Sequence, residues 1–176
     1  MGMNNTAFLV IDVQVGMFPE SDPVYNGDEL LERIKGLIHQ ARIHQVPVIY
    51  VQHNEGPGEP LESHTTAWEI HPAIAPVNGE VIIQKYVPDA FHETDLQEVL
   101  AQKGIGSLVI AGIQTDICVE ATCKRASELG FEVIVVKDAH STWSQGARSA
   151  EEIIEEYNEQ FQSFASLEAA SNIKFN

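Results

Sequence analysis

Short apolar runs alternate with amphipathic stretches along the whole chain. "TAFLVIDV" (6–13) is almost continuously apolar and rich in β-branched residues, the pattern of a strand covered on both faces. In the "GDELLERIKGLIHQARIHQ" that follows, Leu30, Ile34, Leu37, Ile38 and Ala41 fall on one stripe at helical spacing. "VPVIYVQ" (46–52) and "EVIIQK" (80–85) read as a second and a third strand. "TDLQEVLAQKG" (94–104) reads as a helix, with Thr94 as its N-cap and Gly104 as its stop. "SLVIAGI" (107–113) is a fourth strand, "DICVEATCKRASELG" a helix closed by Gly130, and "FEVIVVKDA" a fifth strand. A last helix is predicted over about 147–163, where Ile153, Tyr157, Phe161 and Phe164 align, and the tail "SFASLEAASNIKF" holds a short candidate sixth strand.

Strands alternating with helices imply right-handed crossovers and a mostly parallel sheet between helices, a three-layer α/β/α arrangement of Rossmann-like type. No repeat, low-complexity tract or shift of composition divides the chain, so residues 1–176 read as one domain, long enough to bury a core. One connection stands apart. "HNEGPGEPLESHTTAWEIHPAIAPVNG" (53–79) is long and rich in Gly, Pro and His, and loops of that length in compact domains serve as lids or binding walls.

Open parallel sheets bind ligands beyond the carboxyl ends of their strands, where strand order reverses. Three reactive residues fall at such ends: Asp12 near the end of the first strand, Lys85 at the end of the third, and Cys118 shortly after the fourth, in the first turn of the next helix. Singly, each has an ordinary reading as a capping acid, a solvated edge lysine or a buried thiol filler. Jointly they are chemically complementary. Position also separates the two cysteines. Cys118 lies at a helix N-terminus, where unpaired N–H groups and the helix dipole favour thiolate, whereas Cys123 sits mid-helix and reads as packing.

Ten basic against 26 acidic side chains give a formal charge of −16. A field of that sign repels phosphate backbones and anionic lipid, so neither nucleic acid nor a membrane surface is expected as a partner. Acidic runs such as "SAEEIIEEYNEQF" read as solvated helix faces. Two cysteines are too few for a disulfide scaffold, which points to a reducing, cytoplasmic setting. The N-terminal "MGMNNTAFLVIDVQ" has no basic lead, and Asp12 interrupts its apolar run, so it reads as neither signal peptide nor membrane span. Gly2 with Thr6 fits the loose N-myristoylation pattern, one short enough to arise by chance.

Four blocks, "FLVIDVQVGMF", "WEIHPAIAP", "QKYVPDAFHETDLQEVLAQKGI" and "LVIAGIQTDICVEATCKRASELGFEVIVVKDAHST", resemble the signature blocks of the isochorismatase-like cysteine hydrolases, a superfamily that includes nicotinamidases and related amidohydrolases. The resemblance covers roughly residues 6–142, and the Gly-x-x-Thr-Asp-x-Cys-Val block is its most specific part. It implies a six-stranded parallel sheet with helices on both faces. It further implies Cys118 as nucleophile, Asp12 as general base and Lys85 as third member of a triad. Lys85 would keep Asp12 ionised and bias the thiol toward thiolate. A cis peptide between Ile113 and Gln114 is implied as well, setting the N–H groups of Gln114 and Cys118 side by side as an oxyanion hole, with Thr115 and Asp116 bracing the turn.

Nicotinamidases of this family bind a divalent metal through Asp-x-His and further histidines of the long loop. Here His53, His64 and His71 lie in that loop, but Val51 stands at the acid's position. The sequence therefore calls for no metal and no cofactor. His71 and Trp68 are candidate substrate-pocket walls, Phe18 and Phe91 further ones, and each reads equally well as core. The leading expectation is a metal-independent cysteine amidohydrolase acting on a small amide. Two alternatives stay open: a vinyl-ether hydrolase of isochorismatase type, which needs an acid such as Asp12 rather than a thiol, and a catalytically silent oligomeric member. A homo-oligomer is expected, with the apolar tail "NIKF" as one possible contributor to its interface.

Overall fold

The structure, a computed structural model, describes residues 5–176; Gly2 lies outside them. Six strands form one sheet: β1 (Thr6–Ile11), β2 (Val48–His53), β3 (Val81–Lys85), β4 (Ser107–Ile113), β5 (Glu132–Ser141) and β6 (Ser166–Glu168). Their order is β3-β2-β1-β4-β5-β6 and all neighbours run parallel. The expected α/β/α sheet is therefore present, and the short tail strand is its last member.

Successive residues of β1 alternate between two cores, as the pleat requires. Phe8 and Val10 pack with Leu30, Ile34, Leu37, Ile38 and Ala41 of α1 (Gly27–Ile43), the stripe read from the sequence. Ala7, Leu9 and Ile11 face Leu96 and Leu100 of α2 (Leu96–Gln102), Cys123 and Ala126 of α3 (Glu120–Glu128), and Phe161 of α4 (Ala150–Phe161). With a core on each side, all six residues of β1 are buried, which is why the strand lacks the polar alternation of a one-faced sheet.

Three boundaries differ from expectation, each for a local reason. The helix predicted over 94–104 starts at Leu96, because the Thr94 hydroxyl donates to the Ala90 carbonyl (2.6 Å) while accepting from the Leu96 amide (3.3 Å). Thr94 thus braces the incoming turn. The last helix begins at Ala150, fixed by a capping box between Ser149 and Glu152. The helix read over 116–130 is split into a π-type turn over Thr115–Val119 and then α3.

The tail also departs from its expected place. Phe175 is buried with its ring centroid 5.9 Å from that of Phe8, and Ile173 packs against the same core. The apolar side chains of "NIKF" pack against the protein's own core, Phe175 fully and Ile173 in part.

Candidate active site

The order β3-β2-β1-β4 puts the strand-order reversal between β1 and β4, the place where ligands bind in such sheets. Gly112 lets those two strand ends meet. It pairs with Ile11 at φ +139°, and a Cβ there would collide with the Ile11 carbonyl oxygen and lie 2.7 Å from the Ile11 nitrogen. Immediately beyond Ile11 the chain turns at Asp12, whose φ of +53° ends β1 two residues earlier than its apolar pattern suggested. Short polar side chains tolerate that left-handed conformation best.

Lys85, the last residue of β3, pairs in register with His53, the last of β2. Its side chain is fully buried, so the ordinary reading of a solvated edge lysine does not hold. The ammonium lies 2.9 Å from Asp12 Oδ2, 2.8 Å from His53 Nδ1 and 3.3 Å from Cys118 Sγ. The three sequence-predicted residues therefore converge, with His53 as a fourth member. An ammonium has three donors and no acceptor, so Nδ1 of His53 must accept and its ring is the neutral tautomer protonated on Nε2. Lys85 thus donates to His53 and Cys118 and forms an ion pair with Asp12.

Asp12 is fully buried and, apart from the ammonium, has no orthodox hydrogen-bond donor among the described residues. The thiol and the imidazole are close by: a carboxylate oxygen, a His53 ring nitrogen and Cys118 Sγ all lie within 4.8 Å of one another. Burial pushes the Asp12 carboxyl above the usual range, and the facing Lys85 charge offsets part of that rise. Burial, then the charge of Lys85, holds the His53 imidazole down to about 4.

Cys118 corrects the expectation of a resting thiolate. The sulfur belongs to the π-type turn over Thr115–Val119, not to a regular helical first turn, and it is only 8% exposed. Burial and the nearby Asp12 charge push the thiol up to about 12, outweighing Lys85. Burial therefore favours the S–H form of Cys118. Cys123 lies wholly within the core and burial raises its thiol too, as its packing role implies.

The turn that carries Cys118 is held from two sides. The peptide between Ile113 and Gln114 is cis. The amides of Ile117 and Val119 both donate to the Gln114 carbonyl (3.2 and 3.1 Å). Thr115 contacts His140 Nδ1 at 2.7 Å, and His140 Nε2 contacts Asn158 Oδ1 at 2.8 Å. Because the Asn158 amide nitrogen donates to the Lys137 carbonyl, its oxygen is the acceptor for His140, and the Thr115 hydroxyl is the donor at the other ring nitrogen. Asp116 accepts from Thr142 (2.7 Å) and from Gln145 (2.6 Å).

Amide side chains that the sequence reading passed over fasten the long loop to the strand ends. Buried Gln14 accepts from the His53 amide and donates to the His53 carbonyl, both at 3.0 Å, and donates also to the Trp68 carbonyl at 2.8 Å. Gln52 donates to that same carbonyl (2.9 Å), and the Trp68 indole donates to Asn54 (2.9 Å). The signal that could have found Gln14 is its position: a polar residue two places after Asp12, inside an otherwise apolar run. Of the wall candidates, Phe18 lies edge-on to His71 with centroids 4.9 Å apart, while Phe91 stacks on Phe131 at 5.9 Å in the core that also holds Cys118. An open cleft of about 630 Å³, lined by His53, Asn54, Glu55, Gly56, Glu59 and Tyr86, adjoins the centre through His53.

The residues do not fit a nicotinamidase-type metal. His53 spends Nδ1 on Lys85, His71 spends Nδ1 on the Ala73 amide (3.1 Å), and His64 lies against Trp68 with ring centroids 4.9 Å apart. The space between Asp12, His53 and Cys118 is taken by the Lys85 ammonium, a cation already satisfied by all three. A second cation there would have to displace it, against strong like-charge repulsion.

Comparison with known proteins gives the chain's family. A streptothricin hydrolase of Streptomyces noursei is 34% identical over 137 residues, 78% of this chain and 50% of that enzyme, so the chain spans about half the length of that relative. The isochorismatase family protein YddQ of Bacillus subtilis (strain 168) is 34% identical over 140 residues, 78% of each chain. Among solved structures, a cysteine hydrolase from Pseudomonas syringae pv. phaseolicola 1448A superposes with a TM-score of 0.89 at 26% identity, over 97% of this chain and 91% of that one. The Isochorismatase domain matches residues 6–168, and the chain belongs to the isochorismatase family.

Proposed function

We propose that the protein is a hydrolase that cleaves a small amide through a thioester on Cys118, with Asp12 as general base and Lys85 completing the triad. The observation that carries this reading is the single ammonium that touches both the carboxylate (2.9 Å) and the sulfur (3.3 Å). Burial makes Asp12 a stronger base than an ordinary carboxylate, which is what removing a proton from a thiol at about 12 demands. Asp12 takes the S–H proton as sulfur attacks the carbonyl carbon. The C–N bond breaks, the departing amine takes that proton, and the acyl group stays on sulfur. Water then attacks the thioester, losing a proton to Asp12, which returns it to the sulfur as the carboxylic acid leaves.

The N–H groups of Gln114 and Cys118 are the oxyanion donors in this reading. Each such donor is worth about 3–4 kcal/mol in comparable sites. Phe18, Trp68 and His71 form the substrate wall on the side of the long loop, and Phe91 supports the centre from its core position. The similarity to a streptothricin hydrolase supports amide chemistry without fixing the amide.

The test is ammonia release from a panel of small amides, together with intact-mass detection of an acyl adduct on Cys118. Cys118→Ala abolishes both if the reading is right. A second reading is favoured by the raised Asp12 carboxyl, which suits it to protonating a vinyl ether. In that case Cys118→Ala would retain cleavage of isochorismate, and only Asp12→Asn would lose it.

A further inference from the structure

We propose that His53 is a positioning residue for Lys85, fixing the ammonium where it serves Asp12 and Cys118 together. The inference rests on the covalent reading above. Its contact with Nζ, 2.8 Å, is the shortest of the three the ammonium makes. A buried ammonium needs an acceptor for each N–H, because an unpaired buried donor is costly. Without the imidazole, the N–H it satisfies is free to turn to Asp12, whose two oxygens have no hydrogen-bond donor of their own among the described residues. Two bonds to one carboxylate would draw Nζ toward Asp12 and off the sulfur.

His53 is built for such a role. It is the in-register neighbour of Lys85 on the adjacent strand, so the two side chains leave the sheet side by side. Its backbone is gripped at both polar groups by the buried Gln14 side chain, at 3.0 Å each. The same Gln14 reaches the Trp68 carbonyl, which ties the long loop to the residue that holds the lysine. The histidine that ends β2 is here an acceptor for an internal cation.

The experiment measures acylation and turnover of p-nitrophenyl acetate by the whole protein, with variants at residue 53 and Cys118→Ala as control. His53→Ala should lower kcat about 10- to 100-fold, the effect of a catalytic group displaced by about 1 Å, with KM within about threefold. His53→Asn places an amide oxygen near the position of Nδ1 and should recover most of kcat, while His53→Gln, whose oxygen lies farther out, should not. Should His53→Ala fail to fold, the Asn-against-Gln difference still carries the test. Unchanged kcat in His53→Ala, or equal losses in the Asn and Gln variants at unaltered Tm, overturns the proposal. So does loss of wild-type acylation on EDTA treatment with recovery on adding zinc, which would make His53 a ligand. If instead Cys118→Ala acylates and turns over as the wild type does, or the wild type forms no adduct on Cys118, it is the covalent reading that fails.

Discussion

The Thr115 hydroxyl donates to Nδ1 of His140 at 2.7 Å, inside the protein and three residues before the candidate nucleophile. That bond continues through the ring to Asn158, so a helix on one side of the sheet steadies the turn that carries Cys118. Replacing His140 by Ala strands a buried hydroxyl and an amide oxygen and opens a cavity. The expected cost is about 2–4 kcal/mol in urea unfolding, with a fall in kcat larger than any change in KM. A variant of wild-type stability would show the chain of bonds to be dispensable.

Acid should destabilise the fold early. Burial holds the His140 ring down to about 4 from its ordinary 6.5, and His53 shifts the same way. A lowered histidine means the folded state prefers the neutral ring. That contribution is complete above pH 6.5 and is lost as pH falls through 4, on the order of 3 kcal/mol for His140. Unfolding free energy measured from pH 7 to 4 should decline over this interval, and His140→Gln should flatten part of the decline. A profile as steep in the variant as in the wild type would assign the acid limb to other groups.

Lys85→Ala should harm folding as well as turnover. The role implied for Lys85 by the family resemblance suggests a larger cost to turnover than to folding, but a fully buried Asp12 left without its cation costs about 3–5 kcal/mol. The double variant Asp12→Asn with Lys85→Met should regain most of that stability while remaining inactive. Thermal unfolding of the single and double variants, beside activity, separates the two effects.

Gly112→Ala should unfold the protein or lower its stability by more than about 3 kcal/mol. The added methyl meets the Ile11 backbone, not a yielding side chain, and φ is +139°. Gly36 offers the control, since a Cβ there meets nothing within 4 Å; Gly36→Ala in the middle of α1 should be neutral or stabilising.

Phe175→Ala should cost about 3–5 kcal/mol by emptying the space beside Phe8. Retention of the wild-type Tm would return the tail to the role of a surface segment.

Strand and helix identities were legible because β1, β4 and the α1 stripe are long and periodic, and the three candidate residues Asp12, Lys85 and Cys118 were legible because each ends or follows such a run. What stayed hidden depends on contacts between distant segments. Nothing in the local sequence tells a buried lysine from a solvated one, and Lys85 is settled by its pairing with His53 and by the acid two strands away. The helix-dipole argument for Cys118 failed because it needs a regular, partly solvated first turn, whereas burial and Asp12 dominate in the π-type turn. Gln14 was missed because an amide carries no charge and no motif; its value lies in two bonds to a residue 39 positions away.

The pairing of one buried cation with one buried anion leaves the reaction point electrically balanced inside a chain of net charge −16. An uncharged amide therefore meets no opposing force on entry. On the proposed chemistry, the substrate enters without electrostatic cost, and the product acquires a charge of the same sign as the chain's, which disfavours its return once it has left.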